Sequence, residues 1–81
     1  MKPSILITGA YGGMGRATAE VLAGQGFRVF ALDKVVGESK NDIYPVEADI
    51  TDEESVKAAF EQISRETDRL FAIIHFAGIY A

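Results

Sequence analysis

The chain has 81 residues, is 48% hydrophobic and 25% charged, and carries a formal net charge of −4, the composition of one ordinary folded domain rather than of a disordered or membrane-spanning segment. With no cysteine and one histidine, disulfides, thiolate catalysis, the common zinc sites and histidine metal clusters are excluded, and an acidic balance without a basic run argues against nucleic acid or an anionic membrane as partner. No run approaches the roughly 20 apolar residues of a membrane span, and Pro3 and Ser4 stand where a signal peptide would need its apolar core, so the cytoplasm is the expected location.

Ser4 to Thr8 reads as a first strand, and Met14, Ala17, Thr18, Val21 and Leu22 recur at helical spacing behind it. Gly24-Gln25-Gly26 stops that helix, one glycine supplying a left-handed cap. Arg28 to Asp33 contains Val29-Phe30-Ala31-Leu32, a continuous apolar run typical of a parallel strand covered on both faces. Lys34 to Asp42 is too short and polar for a crossover helix, which predicts a loop or a single turn. Ile43 to Glu47 forms a third strand, confined to a sheet edge by Pro45. Thr51-Asp52-Glu53-Glu54 reads as a capping box before a second helix patterned by Val56, Ala59, Phe60 and Ile63. Leu70 to His75 closes the series as a fourth apolar strand, with Ala77-Gly78 at its carboxyl end. Strict alternation with right-handed crossovers predicts an α/β fold, a Rossmann-type doubly wound parallel sheet in the order 3-2-1-4 whose switch point lies between strands one and four.

At that switch point lies Thr8-Gly9-Ala10-Tyr11-Gly12-Gly13-Met14-Gly15, a glycine turn where a strand becomes a helix. A helix start presents unpaired N–H groups and a positive dipole end, which suits a pyrophosphate. Gly9 takes the tight turn, Gly13 lets backbone approach the phosphates and Gly15 lets the helix pack closely on the strand. Asp33 lies 18 residues beyond Gly15, close to the spacing of a ribose-binding carboxylate, and a solvated strand end is its alternative reading. Asp49 has an alternative as an Asx turn ahead of the second helix. Tyr11 and Met14 join the cofactor-binding candidates on the turn; for Tyr11, as for Arg16, a solvated place at the rim is the competing reading. His75, at the end of an apolar strand, reads as a hydrogen-bonded core residue.

Thr8-Gly9-x-x-x-Gly13-x-Gly15, Asp33, Ala48-Asp49-Ile50-Thr51-Asp52 and Ala77-Gly78, in this order on these strands, resemble the N-terminal half of the short-chain dehydrogenases/reductases across nearly the whole chain. The resemblance implies an oxidoreductase that moves hydride between a nicotinamide dinucleotide and a small alcohol or carbonyl substrate. It also implies that Asp49 meets the adenine amino group, that Ile50 packs beside the ring, and that Ala77 and Gly78 let the cofactor ribose pass. One departure is His75-Phe76-Ala77-Gly78 where the main branch carries Asn-Asn-Ala-Gly, a pattern partly like the His-x-Ala of the extended branch. The family's catalytic Ser and Tyr-x-x-x-Lys are missing: Tyr11 is followed four positions on by Gly15, and Tyr44 by Ala48. The 81 residues are therefore expected to be the dinucleotide-binding N-terminal part of one domain, the catalytic half lying elsewhere, in a parent protein expected to be a homo-oligomer. Asp33 favours NAD over NADP, because a carboxylate accepts from two ribose hydroxyls and repels a 2′-phosphate. A noncatalytic NAD-sensing or scaffold module and an extended-branch NAD-dependent epimerase or dehydratase are the alternatives.

Overall fold

Every residue of β1 (Ser4–Thr8) is buried, as the unbroken run Ile5-Leu6-Ile7 requires of a strand with cover on both faces. The computed structural model describes residues 2–67 and 69–76. After β1 come α1 (Gly13–Gly24), β2 (Arg28–Asp33), β3 (Ile43–Glu47), α2 (Glu53–Glu66) and β4 (Ala72–His75). All pairings are parallel and the sheet order is β3-β2-β1-β4, the order expected from the alternation.

Strand periodicity of two divides the core between the two faces. On one, Ile5, Ile7, Val29, Ala31 and Ile43 pack with Ala19 of α1; on the other, Leu6, Phe30, Leu32 and Val46 pack with Ala59 and Ile63 of α2. Pro45 sits in the edge strand opposite Ala31. The Asp42 carbonyl and the Ala48 N–H both bond β2, so residues of even number face the ladder and the Pro45 nitrogen points away from it.

Several local expectations change. The buried face of α1 is Gly15 and Ala19 with half-buried Leu22 and Ala23, whereas Met14 and Val21 of the predicted stripe are exposed. Close packing of α1 on the turn selects the small residues, and the helix is rotated accordingly. The predicted capping box does not form: Asp52 is the N-cap and accepts from the Glu54 N–H at 3.1 Å, while Thr51 turns back to Asp49. β4 begins at Ala72, two residues later than the apolar run suggested, although the Phe71 N–H already bonds the Ser4 carbonyl. The Lys34 to Asp42 connection is a loop without helix, as its length predicts.

Candidate functional site

The chain leaves β1 at Thr8 and turns at Gly9, whose φ of +70° lies in the left-handed region that disfavours side chains. The turn is pinned to the end of β2: the Ala10 N–H donates to the Leu32 carbonyl at 3.2 Å, and the Tyr11 N–H to Asp33 Oδ2 at 3.0 Å. Asp33 Oδ1 accepts from the Lys34 N–H at 2.8 Å, so both carboxylate oxygens are oriented by backbone. Each oxygen keeps a further lone pair for a ligand hydroxyl.

Gly12 is the N-cap of α1, with no side-chain capping bond, and its carbonyl accepts the first helical bond, from Arg16. The N–H groups of Gly13, Met14 and Gly15 are those a helix start leaves without intrahelical acceptors. A Cβ on Gly13 would meet nothing within 4 Å, whereas one on Gly15 would lie 2.1 Å from the Gly9 carbonyl oxygen. Gly15 thus sets the contact between helix and turn, and Gly13 leaves an open approach to the helix start. No acidic residue stands in that first turn to compete with an anion.

Asp49 and Ile50 follow β3 and come up beside Asp33, because the Ala48 N–H bonds the Asp33 carbonyl at 2.9 Å. The Asx turn is present: Asp49 Oδ1 accepts from the Thr51 hydroxyl at 2.6 Å and the Thr51 N–H at 2.9 Å. These two bonds hold the Asp49 carboxyl below its ordinary range against the opposing effect of burial, with the charge of Lys34 (Nζ 4.0 Å from Oδ2) the smallest contribution. Oδ2 faces outward toward Lys34. Ile50 is exposed, as is Met14 on the glycine turn, so both apolar side chains of the candidate set are open to contact.

At the ends of β1 and β4, His75 Nδ1 lies 2.9 Å from Thr8 Oγ1. His75 is hydrogen-bonded as expected but exposed, so the reading of a core histidine is corrected: in β4 it alternates with Ala72 and Ile74, which turn toward the α1 face. Ala77 and Gly78 lie outside the described residues. Sequence reasoning does not single out Gly12 or Ser55, whose Oγ accepts from the Asp49 N–H at 2.8 Å and fixes the loop. The only signal for Ser55 is a serine in the first turn of a helix.

The turn, the oriented Asp33 and the loop carrying Asp49 and Ile50 thus meet at the carboxyl ends of three adjacent strands. The profile of the short chain dehydrogenase family matches residues 3–81. The chain belongs to this family. A curated relative, 3-ketodihydrosphingosine reductase of Bacteroides thetaiotaomicron, is 38% identical over 80 residues, covering 98% of this chain and 30% of the relative. A short chain dehydrogenase from Leptospira borgpetersenii with bound NAD+ is 27% identical with a TM-score of 0.84, covering 100% of this chain and 33% of that one. ElxO with bound NADP is 25% identical with a TM-score of 0.84, covering 100% of this chain and 37% of that one. The chain therefore spans about a third of the length of these family members. Among the described residues no helix is long and apolar enough to cross a membrane.

Proposed function

We propose that these 81 residues are the dinucleotide-binding N-terminal part of an NAD(P)-dependent oxidoreductase that interconverts a small alcohol and its carbonyl compound. The observation that carries this reading is the pairing of an open glycine helix start with a carboxylate held by two backbone N–H groups, on a chain of this family. A bound nicotinamide would supply the hydride chemistry. The residues described here bind and orient. The first-turn N–H groups of α1 receive the pyrophosphate, Asp33 accepts from the ribose hydroxyls, and Met14 and Ile50 offer apolar contact to the adenosine end. Asp49 Oδ2, free of the Asx turn, is the acceptor for the adenine amino group, and Tyr11 borders the ribose. Ala77 and Gly78 are assigned to the same site from the family pattern. The cytoplasm, a homo-oligomeric state and a catalytic half outside these residues complete the reading. The named relatives are reductases and dehydrogenases, which favours an enzyme over a noncatalytic sensor.

NAD is the preferred cofactor in this proposal. Unit charges about 5 Å apart repel by ~3 kcal/mol at an effective dielectric near 20, before salt screening, so Asp33 opposes a 2′-phosphate. Lys34 offsets part of this, although in the structure its ammonium is drawn toward Asp49. Calorimetric titration of the intact protein should give an NAD affinity about tenfold above that for NADP. Asp33→Ala should lower NAD affinity and narrow that ratio to about threefold or less. Tighter NADP binding by the unmodified protein would refute the preference, and failure of both dinucleotides to bind would refute the function.

A further inference from the structure

Asp33 Oδ2 accepts from the Tyr11 N–H at 3.0 Å and Oδ1 from the Lys34 N–H at 2.8 Å, so the carboxylate is gripped by the glycine turn on one side and by the loop from β2 to β3 on the other. Those two segments meet again beyond it. The Tyr11 ring is half-buried, packs against the core cluster on the α1 face and lies at Gly37 of the loop, where an added Cβ would stand 3.0 Å from Cε1 and 3.5 Å from Cδ1. A side chain at position 37 would crowd the ring. The loop is tethered in turn by Lys40, 3.3 Å from Glu20 of α1, and by the pairing of Asp42 with Lys2. Arg16 stands over the ring, 5.9 Å from its centroid. Turn, carboxylate, loop and ring therefore form a closed circuit, with Asp33 at one junction and the contact of Tyr11 with Gly37 at the other. The Tyr11 hydroxyl is sealed in without a hydrogen-bond partner among the described residues, so the shape of the ring and not its polarity closes the circuit.

We propose that the contact of Tyr11 with Gly37 is a specificity-determining clamp, which holds the Asp33 carboxylate in the orientation that favours an unphosphorylated adenosine ribose over a 2′-phosphorylated one. Tyr11 and Gly37 are positioning residues that act through Asp33, and the inference rests on the assignment of Asp33 to the ribose. Without the ring, turn and loop are joined only by backbone bonds to the carboxylate, which is then free to change rotamer. A carboxylate that turns away loses its bonds to the ribose hydroxyls and repels a 2′-phosphate less, so NAD binding weakens while NADP binding is relieved. A ring that merely filled space would on removal weaken both dinucleotides alike, because they share the glycine turn.

The test is calorimetric titration of the intact protein with NAD and with NADP. Tyr11→Ala should narrow the ratio of NAD to NADP affinity from about tenfold to about threefold, and Tyr11→Phe, which restores the ring, should return it to within about twofold of the original. Gly37→Val presses on the ring from the exposed loop and should narrow the ratio in the same direction, which keeps the clamp testable should Tyr11→Ala fold poorly. With Asp33→Ala already present, adding Tyr11→Ala should move the ratio by less than about twofold, since the group it positions is gone. Equal weakening of both dinucleotides, an unchanged ratio in Gly37→Val, or an undiminished effect of Tyr11→Ala beside Asp33→Ala would overturn the proposal. Hydrogen exchange at the Tyr11 amide of the ligand-free protein reads the clamp without a dinucleotide, and it should quicken in Gly37→Val. Exchange as slow as in the original refutes the clamp whatever binds, whereas quickened exchange with neither dinucleotide bound would refute the proposed function and the ligand assigned to the clamp.

Discussion

A side chain at Gly13 would project into open space, whereas one at Gly15 would strike the backbone of Gly9 and Ala10. The same substitution type therefore separates ligand binding from folding. Gly13→Val should leave the melting temperature within a few degrees of the original while dinucleotide affinity falls about a hundredfold or more, ~2.7 kcal/mol, through obstruction of the helix start. Gly15→Ala should instead destabilise the fold by about 2–3 kcal/mol, because the obstacle is backbone and cannot swing aside. Unchanged affinity in a folded Gly13→Val protein would reduce the glycine turn to a structural device. Asp49 makes a second residue-scale prediction. Its folded pKa is lowered, so the interaction favours the folded state above the unfolded aspartate value near 3.9 and is lost as pH falls through the folded value. Thr51→Val removes the hydroxyl bond, the larger cause, and should raise the midpoint of the Asp49 carboxyl carbon in an NMR titration; an unmoved midpoint would contradict that cause. The glycine spacing and the Asx option at Asp49 were legible in sequence because both are local. The orientation of Asp33 by Tyr11 and Lys34 was not, since a bond to the Tyr11 N–H depends on how β1 and β2 meet.

At the scale of elements, α1 shows where pattern reading falls short. Its apolar residues recur at helical spacing, yet the helix buries Gly15 and Ala19 and leaves Met14 and Val21 at the surface. Periodicity reports that a helix forms, but the approach distance to the neighbouring sheet decides which stripe is inward, and here the small stripe approaches most closely. The C-terminus was more legible. The Phe27 N–H bonds the Leu22 carbonyl at 3.1 Å and the Gly26 N–H bonds the Ala23 carbonyl at 3.2 Å, a Schellman ending with Gly26 at φ +99°. Gly24 and Gly26 should consequently respond in opposite directions. Gly26→Ala forces a left-handed alanine and should cost about 1–2 kcal/mol, while Gly24→Ala, unobstructed and within the helix, should be neutral or stabilising by up to ~1 kcal/mol. Urea denaturation of the two variants checks this, and a Gly26→Ala protein as stable as the original would show that the cap relaxes to another conformation. At α2 the sequence supplied the acidic first turn but not the partner of Thr51, because its hydroxyl can accept from the Glu54 N–H or donate to Asp49, and the loop geometry gives the Glu54 N–H to Asp52 instead.

At the scale of the molecule, the parallel order β3-β2-β1-β4 followed from the alternation of elements, the right-handed crossover and one proline. Those constraints act through connectivity, so they survive errors in individual helix faces. What they leave open is cover. Ala72 and Ile74 of β4 and the adjacent Phe76 pack against the cluster on the α1 side, while Phe71, just before β4, and Ile73, between Ala72 and Ile74, are 71% and 47% exposed. Ile74 and Phe76 are thus partly buried, and the open apolar surface of this segment is confined to Phe71 and Ile73. Exposed apolar side chains beside the edge strand of a four-stranded sheet form a surface that pairs readily with another chain. A polypeptide limited to these 81 residues should therefore self-associate at micromolar concentration, bind NAD weakly and show no alcohol dehydrogenase activity. Replacing both positions, Phe71→Ser with Ile73→Thr, should shift sedimentation toward the monomer, because threonine retains strand propensity while removing apolar surface. Sedimentation of the unmodified polypeptide as a monomer with a cooperative melt above about 50 °C, the range of intact mesophilic domains, would show that this face needs no cover. Detectable turnover would place catalytic groups within these residues and overturn their assignment as the binding part alone.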